Sequence, residues 1–282
     1  MPYISTPAGV RLYYDALGDP DGPPLVLVQG MGAQLLGWQP GLCARIAELG
    51  FRVVRFDNRD VGLSQKFPEG GYQLADMADD LAGLLTRLGI ESAHIVGQSM
   101  GGMIAQELVR TRPDLVRTLA LLYTAPISRD ALGAKEANTV IQERFALPRA
   151  RDRDEAIELY VLNEAPCASP AYPRDLEWLR ELGGLMYDRD YDPDGAVRHL
   201  AAVTASPDHT EALRDIAIPT TILHGDGDRL IDSRFARVLH DAIPGSTLTV
   251  FPGMGHELPR ALWPDIVTAI GDNAALTSPP GQ

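Results

Sequence analysis

The stretch Val96-Gly97-Gln98-Ser99-Met100-Gly101-Gly102 narrows the folds open to this chain more than any other. It follows the apolar run 93–96 and precedes Met103-Ile104-Ala105-Gln106-Glu107-Leu108-Val109, which places a serine between a buried strand and a helix. A strand that passes directly into a helix needs a sharp turn, and side chains at positions 97 and 101 would collide across it. Glycine at both positions removes the obstacle. The helix then aims its N-terminal amides and the positive end of its dipole at the serine hydroxyl, where charge developing on a substrate oxygen would be held. Ser99 is therefore a candidate nucleophile, and the amide of Met100 a candidate oxyanion donor.

The rest of the chain can be ordered around that turn. Residues 10–16 alternate in polarity like a half-exposed edge strand, whereas Leu25-Val26-Leu27-Val28 is continuously apolar, as in a strand covered on both faces. Residues 38–49 have helical spacing, with Leu42, Ile46 and Leu49 on one face and Gly50 as the stop. Residues 51–56 predict a strand, 74–88 a helix and 93–97 the strand that delivers Ser99. This β, α, β, α, β order predicts a mostly parallel sheet with crossover helices. After a helix ending near Arg112-Pro113, residues 118–123 make one more buried strand, and then the pattern changes. Between residues 127 and 214 only helical fragments occur (155–162, 175–182 and 195–202), broken by proline and glycine. Strand-helix order resumes with 218–223, 233–242, 247–251 and 262–270. The expected division is a core of residues 1–126 and 215–276, a helical cap of residues 127–214 and a disordered tail of 277–282. A chain of 282 residues is long enough to bury such a core.

A serine hydroxyl is a poor nucleophile until a base removes its proton, so Ser99 calls for a histidine and a carboxylate to orient it. Of the six histidines, His256 is the best placed. It lies in Pro252-Gly253-Met254-Gly255-His256-Glu257, between the last strand and the last helix, where the glycines let the ring swing over the sheet edge. His94, His199, His209 and His240 fall in elements or beside the insertion and are read as structural, and His224 precedes the acid in the chain. Three aspartates compete for the acid in His224-Gly225-Asp226-Gly227-Asp228-Arg229-Leu230-Ile231-Asp232. Asp228, past the glycine turn and ahead of a helix, is favoured over Asp226, and Asp232 suits a helix N-cap. A second oxyanion donor is expected from Gln29-Gly30-Met31-Gly32-Ala33, where glycine frees the backbone to approach substrate; the choice is the amide of Met31, with Gly30 beside the substrate.

The totals exclude more than they assign. With 25 basic and 38 acidic residues the net charge is −13, and no basic stripe or zinc-spaced Cys/His cluster is visible, so nucleic acid is not an expected partner. Cys43 and Cys167, far apart and without secretion signals, read as two separate thiols. No run approaches membrane-spanning length, and a cytoplasmic protein needing no cofactor is the expectation.

Ser99, Asp228 and His256, in that order and with their glycine contexts, resemble the α/β-hydrolase fold superfamily over nearly the whole chain. Gly30-Met31-Gly32-Ala33-Gln34, Trp38 and Phe56-Asp57-Asn58-Arg59-Asp60-Val61-Gly62-Leu63-Ser64 further resemble bacterial carboxylesterases related to polyketide methylesterases and mycobacterial lipase-like esterases. Many such relatives have histidine where this chain has Gln29 and glycine where it has Asp60. The resemblance implies a central sheet flanked by helices, with a helical cap inserted after the sixth core strand. It also implies a serine carboxylesterase acting on an apolar ester as its small-molecule substrate, and a homodimer is compatible with it. Trp178, Met186 and Tyr187, with Tyr160 and Tyr191, are cap residues available to touch substrate. The side chains of Met31 and Met100 are expected to line the acyl pocket. Asp57, Asn58 and Arg59 read as a polar network joining strand-end loops. The same triad could instead run C–C bond hydrolysis or cofactor-free perhydrolysis, and a ligand-binding sensor is the alternative outside enzymes. Serine at 99 disfavours the epoxide hydrolase, dehalogenase and dienelactone hydrolase chemistries.

Overall fold

The apolar runs become strands of one sheet. In this computed structural model, which describes residues 2–132 and 135–277, the strands are β1 (Tyr3–Ser5), β2 (Arg11–Gly18), β3 (Pro24–Val28), β4 (Arg52–Phe56), β5 (Ala93–Gln98), β6 (Val116–Leu122), β7 (Thr220–Gly225) and β8 (Thr247–Phe251). The helices are α1 (Pro40–Ala47), α2 (Leu74–Arg87), α3 (Met100–Thr111), α4 (Arg129–Leu132), α5 (Lys135–Phe145), α6 (Arg153–Asn163), α7 (Leu176–Arg189), α8 (Asp194–Ala205), α9 (Arg234–Ala242) and α10 (Trp263–Ala275).

The sheet runs β1-β2-β4-β3-β5-β6-β7-β8. From β4 to β8 every pairing is parallel, while β1 with β2 and β2 with β4 are antiparallel. The chain leaves β3 for β4 on one side and later enters β5 on the other. That reversal opens a crevice beyond the carboxyl ends of β3 and β5, the usual ligand site of an open α/β sheet. The loop at Gly30 and the turn at Ser99 both emerge there.

Helices cover both faces, as a parallel sheet requires. α2 shows how the sequence does this: Leu74, Met77, Leu81, Leu84 and Leu85 recur at helical spacing and are all buried. Its first turn is closed by the Gln73 amide donating to Asp76 at 2.8 Å. It packs against α3, and with α3 and α9 covers one face of the sheet, where Ile104, Leu108, Phe235 and Leu239 join the core. α1 and α10 cover the other through Leu42, Ile46, Trp263, Ile266 and Ile270.

Several expectations need correction. β2 is not the edge strand, because Tyr3–Ser5 pairs on its outer side; three residues are too few to show a period. The first helix is shorter than residues 38–49, since Trp38 and Gln39 precede Pro40 in extended backbone. Within 127–214 the absence of strands among the described residues agrees with expectation, but α4 and α5 were not anticipated, and α7 continues seven residues beyond 182 to Arg189. The tail expected to be disordered lies, from Ser278 on, outside the described residues. Cys43 and Cys167 are separate buried thiols, and burial pushes them up to about 11 and about 12. Among the described residues no helix is long and apolar enough to cross a membrane.

Candidate active site

The turn after β5 is as tight as its glycines suggest. Ser99 has φ 54° and ψ −127°, a backbone region that an L-residue occupies only under constraint. A Cβ on Gly97 would lie 2.4 Å from the Gly101 carbonyl oxygen, so that clash falls across the turn as expected. A Cβ on Gly101 would instead strike the Val28 carbonyl oxygen on β3, at 2.2 Å. The Ser99 amide donates to the Leu122 carbonyl at 3.0 Å, and the Thr124 hydroxyl donates to the Ser99 carbonyl at 2.7 Å. Neighbouring backbone thus holds the strained residue from both sides.

Ser99 Oγ lies 2.9 Å from His256 Nε2, and His256 Nδ1 lies 2.8 Å from Asp228 Oδ2. The three residues picked from sequence therefore form one hydrogen-bonded chain. The other aspartates do different work. Asp226 accepts the Gly253 amide at 2.5 Å and braces the histidine loop, and Asp232 accepts the Arg234 amide at 2.9 Å at the start of α9. The acid and histidine loops are stitched together further by the Gly227 amide donating to the Met254 carbonyl at 3.0 Å.

Asp228 is fully enclosed. Its Oδ1 accepts the amides of Leu230 and Ile231 at 2.8 and 2.9 Å. Burial alone would raise its pKa, but the charge of His256 and the hydrogen bonds from His224 and His256 outweigh it and hold the carboxyl well below the usual range. His224, wholly buried, places Nε2 2.9 Å from the Ile231 carbonyl and 3.3 Å from Asp228 Oδ2. The carbonyl can only accept, so Nε2 carries the proton. The sequence reading left His224 without a task; its spacing of four residues from the acid was the available signal.

The loop after β3 supplies the opposite wall. A Cβ on Gly30 would sit 3.2 Å from Ser99 Cβ and 3.6 Å from its Oγ, so a side chain there would press on the serine. The Gly30 amide donates to Gln29 Oε1 at 2.8 Å and the Gly32 amide to His199 Nδ1 at 3.1 Å. Between them, the Met31 amide has no hydrogen-bond acceptor among the described residues. Gln29 also accepts from Gln98 Nε2, and Gln98 Oε1 in turn accepts from the Tyr123 hydroxyl. The Tyr123 ring meets the His256 ring edge-on at 4.7 Å. A buried polar chain thus runs from the loop after β3 to Tyr123, whose ring rests against His256.

A cavity of about 510 Å³ opens above Ser99, His256, Gly30 and Met31. Trp178, Met186 and Tyr187 line it, with Tyr160 and Tyr191. Arg144, Asn163 and Glu164, from the helices between β6 and β7, add polar groups to the wall. Met100, expected to line the cavity, does not: it is 2% exposed and packs in the core with residues of α2 and α3. Residues missed by the sequence reading also hold the histidine loop. The His256 amide donates to the Cys167 carbonyl at 2.9 Å, the Gly255 amide to Ser169 Oγ at 2.9 Å, and the Ser169 amide to Glu257 Oε1 at 2.7 Å. Nothing local in residues 167–169 signals this, because the partners are nearly ninety positions away. Asp57 behaves as the expected structural group, accepting from Leu35, Leu63 and Arg189. Arg59 pairs with Asp80 at 2.6 Å, and Asn58 donates to the Gln29 carbonyl at 3.0 Å.

Comparison with known proteins agrees with this architecture. Residues 23–259 match the alpha/beta hydrolase fold family. The bifunctional esterase/perhydrolase DCH of Acinetobacter calcoaceticus is 29% identical over 272 residues, covering 92% of this chain and 94% of that protein. The rhodomycin D methylesterase DauP of a Streptomyces species is 26% identical over 281 residues, covering 93% and 94%. An esterase from Exiguobacterium antarcticum superposes with a TM-score of 0.77 at 24% identity, over 96% of this chain and 98% of that one, and so bears on fold alone.

Proposed function

The chain belongs to the α/β-hydrolase fold family, and we propose that within it this protein is a serine hydrolase of carboxylic esters working through Ser99, His256 and Asp228. The observation that carries this is the unbroken chain from Asp228 Oδ2 through His256 to Ser99 Oγ, with links of 2.8 and 2.9 Å, at the floor of the cavity. Ser99 Oγ attacks the acyl carbon while His256 Nε2 takes its proton. The carbonyl oxygen gains the negative charge and is held by the amides of Met31 and Met100. The tetrahedral adduct collapses by breaking the bond to the alcohol, which leaves with the proton from His256. Water, deprotonated by the same nitrogen, then releases the acid and restores Ser99. Asp228 fixes the tautomer of His256 and stabilises its imidazolium.

Residues 127–214 serve in this proposal as a cap that selects the substrate. Trp178, Met186 and Tyr187 offer contact to an apolar body, and Arg144 and Asn163 leave room for a polar substituent. The test is a p-nitrophenyl phosphonate read by intact mass, together with short-chain p-nitrophenyl esters. One label per wild-type chain is expected, none on Ser99→Ala, and a loss of about 10⁴-fold or more in ester turnover by that variant. Absence of label and turnover in the wild type, or full activity in Ser99→Ala, would sink the proposal. A second reading is favoured by the named activities of DCH: hydrogen peroxide replacing water as acceptor of the acyl group, giving a peracid. Peracid formation from the same esters in peroxide measures it.

A further inference from the structure

We propose that His199, on α8, is a positioning residue for the oxyanion loop: its unprotonated Nδ1 holds the Gly32 amide and so keeps the Met31 N–H directed at the cavity floor. This rests on the serine-hydrolase proposal above. The tautomer follows from the partners. His199 Nε2 lies 2.7 Å from the Arg59 carbonyl oxygen, which can only accept, so that nitrogen carries the hydrogen. Nδ1 is then a bare lone pair, and the Gly32 amide donates to it at 3.1 Å. The ring is wholly buried, and burial pushes it down to about 4 against the opposing pull of the Arg59 carbonyl, so it stays neutral near pH 7.

The loop needs such a hold. Met31 stands between two glycines, and Gly32 has φ +70°, so the local chain has little stiffness of its own. An N–H that must point at a developing oxyanion gains from having both flanking peptide planes fixed. Gln29 fixes the one before it and His199 the one after. The hold is only as firm as the helix that bears it, and α8 is fastened to the core along its length. A Cβ on Gly195 would lie 2.3 Å from the Asp60 carbonyl oxygen, and one on Gly32 would lie 2.7 Å from Ala196 Cβ, so helix and loop touch with no space between them. Arg198 pairs with the buried Asp60 at 2.8 Å, and Ser206, just past the helix, accepts the Leu74 amide at 3.0 Å.

Three substitutions separate positioning from packing. His199→Asn keeps an acceptor near the Nδ1 position but no longer reaches Arg59. His199→Gln keeps a donor for Arg59 but loses the nearer acceptor, and His199→Leu loses both. Removing an oxyanion donor outright costs about 10²- to 10³-fold, and misdirecting one costs less. We expect kcat within about 3-fold of wild type for the Asn variant and about 10-fold lower for Gln and Leu, with KM unchanged throughout and phosphonate labelling rates following kcat. A scalar ¹⁵N–¹⁵N coupling across the hydrogen bond from Gly32 to His199, read by NMR in the wild type, stands in should a variant fail to fold. Equal losses in Asn and Gln, an effect confined to KM, wild-type kcat in the Leu variant, or an absent coupling overturns the inference. If the wild type itself takes no phosphonate label, the hydrolase proposal is what fails.

Discussion

Asp57 gives the sharpest stability test, because every hydrogen bond it makes has a known length and it is wholly buried. Its Oδ1 accepts the Leu35 amide at 2.7 Å and its Oδ2 the Leu63 amide at 3.0 Å, while Arg189 on α7 approaches both oxygens, at 3.3 and 2.8 Å. Asp57→Asn conserves volume but turns one acceptor oxygen into an NH₂ group. Whichever way the amide is turned, that group faces a backbone N–H and a guanidinium N–H, donor against donor. An orphaned backbone donor costs about 1–3 kcal/mol, and breaking a buried ion pair from one side about 3–5 kcal/mol. The two overlap, since Arg189 has only 16% of its side chain exposed to find water. The expected total is about 3–5 kcal/mol, a large share of the roughly 5–15 kcal/mol that holds a domain folded. Urea unfolding at pH 7 should show this as a lower midpoint at unchanged slope. Arg189→Met should cost a similar amount by stranding the carboxylate, and the double variant should fall short of the sum by about 2 kcal/mol. A loss below about 1 kcal/mol in Asp57→Asn, or strict additivity, would show that the pair does not tie α7 to the core.

Gly101→Ala places a Cβ 2.2 Å from the Val28 carbonyl oxygen, so β3 itself must move. A loss of about 4 kcal/mol or more is expected, seen as insoluble expression or a collapsed urea midpoint. Gly89→Ala, with φ +66° and no atom within 4 Å of the new Cβ, should cost only about 1–2 kcal/mol and stay soluble; equal outcomes for the two would refute the steric account. Stability should also fall on acidification below pH 6.5. His94 and His199 are held neutral by burial, their pKa lowered from 6.5 to about 4. Between those values the unfolded chain binds protons that the folded chain refuses, which favours unfolding by about 2 kcal/mol for each ring at pH 5 and changes no further below pH 4. Asp228, held low, adds to the same trend once the pH drops below its ordinary 3.8. His94→Gln should flatten the slope between pH 7 and 5, and an unchanged slope in urea midpoints against pH would count against the assignment.

What could be read from the sequence is what the chain settles locally. The need for glycine at 97 and 101 arises within a few residues of Ser99, and the strand ends that carry Asp228 and His256 are marked by apolar runs stopping at glycine. The burial of the Met100 side chain runs against the expected place in the acyl pocket, although Met100, Met103, Ile104 and Leu108 share one helical face, all within the core. The amide and the side chain of one residue at a helix start face different neighbours, and with the side chain in the core only the amide is left as a candidate for the site. Roles fixed by distant partners left no local mark. His199 reaches Gly32 across 167 positions, Ser169 reaches Glu257 across 88, and Arg189 reaches Asp57 across 132.

Those three long-range bonds share an origin, for each joins residues 127–214 to a different loop at the carboxyl edge of the sheet. Cys167 and Ser169 hold the loop of His256, His199 holds the loop of Met31, and Arg189 holds the strand end at Asp57. A division into core and cap therefore describes chain order better than energetics. A segment acting only as a cover would touch the core at its rim and leave the reacting groups to be arranged by the sheet. Here the sheet brings the candidate triad to one edge, and residues 127–214 supply the Cys167 carbonyl, Ser169 Oγ and His199 Nδ1 that fix the loops of His256 and Met31 in direction. If the proposed function holds, change in the segment alters turnover as well as substrate preference, even at positions such as His199 that do not line the cavity.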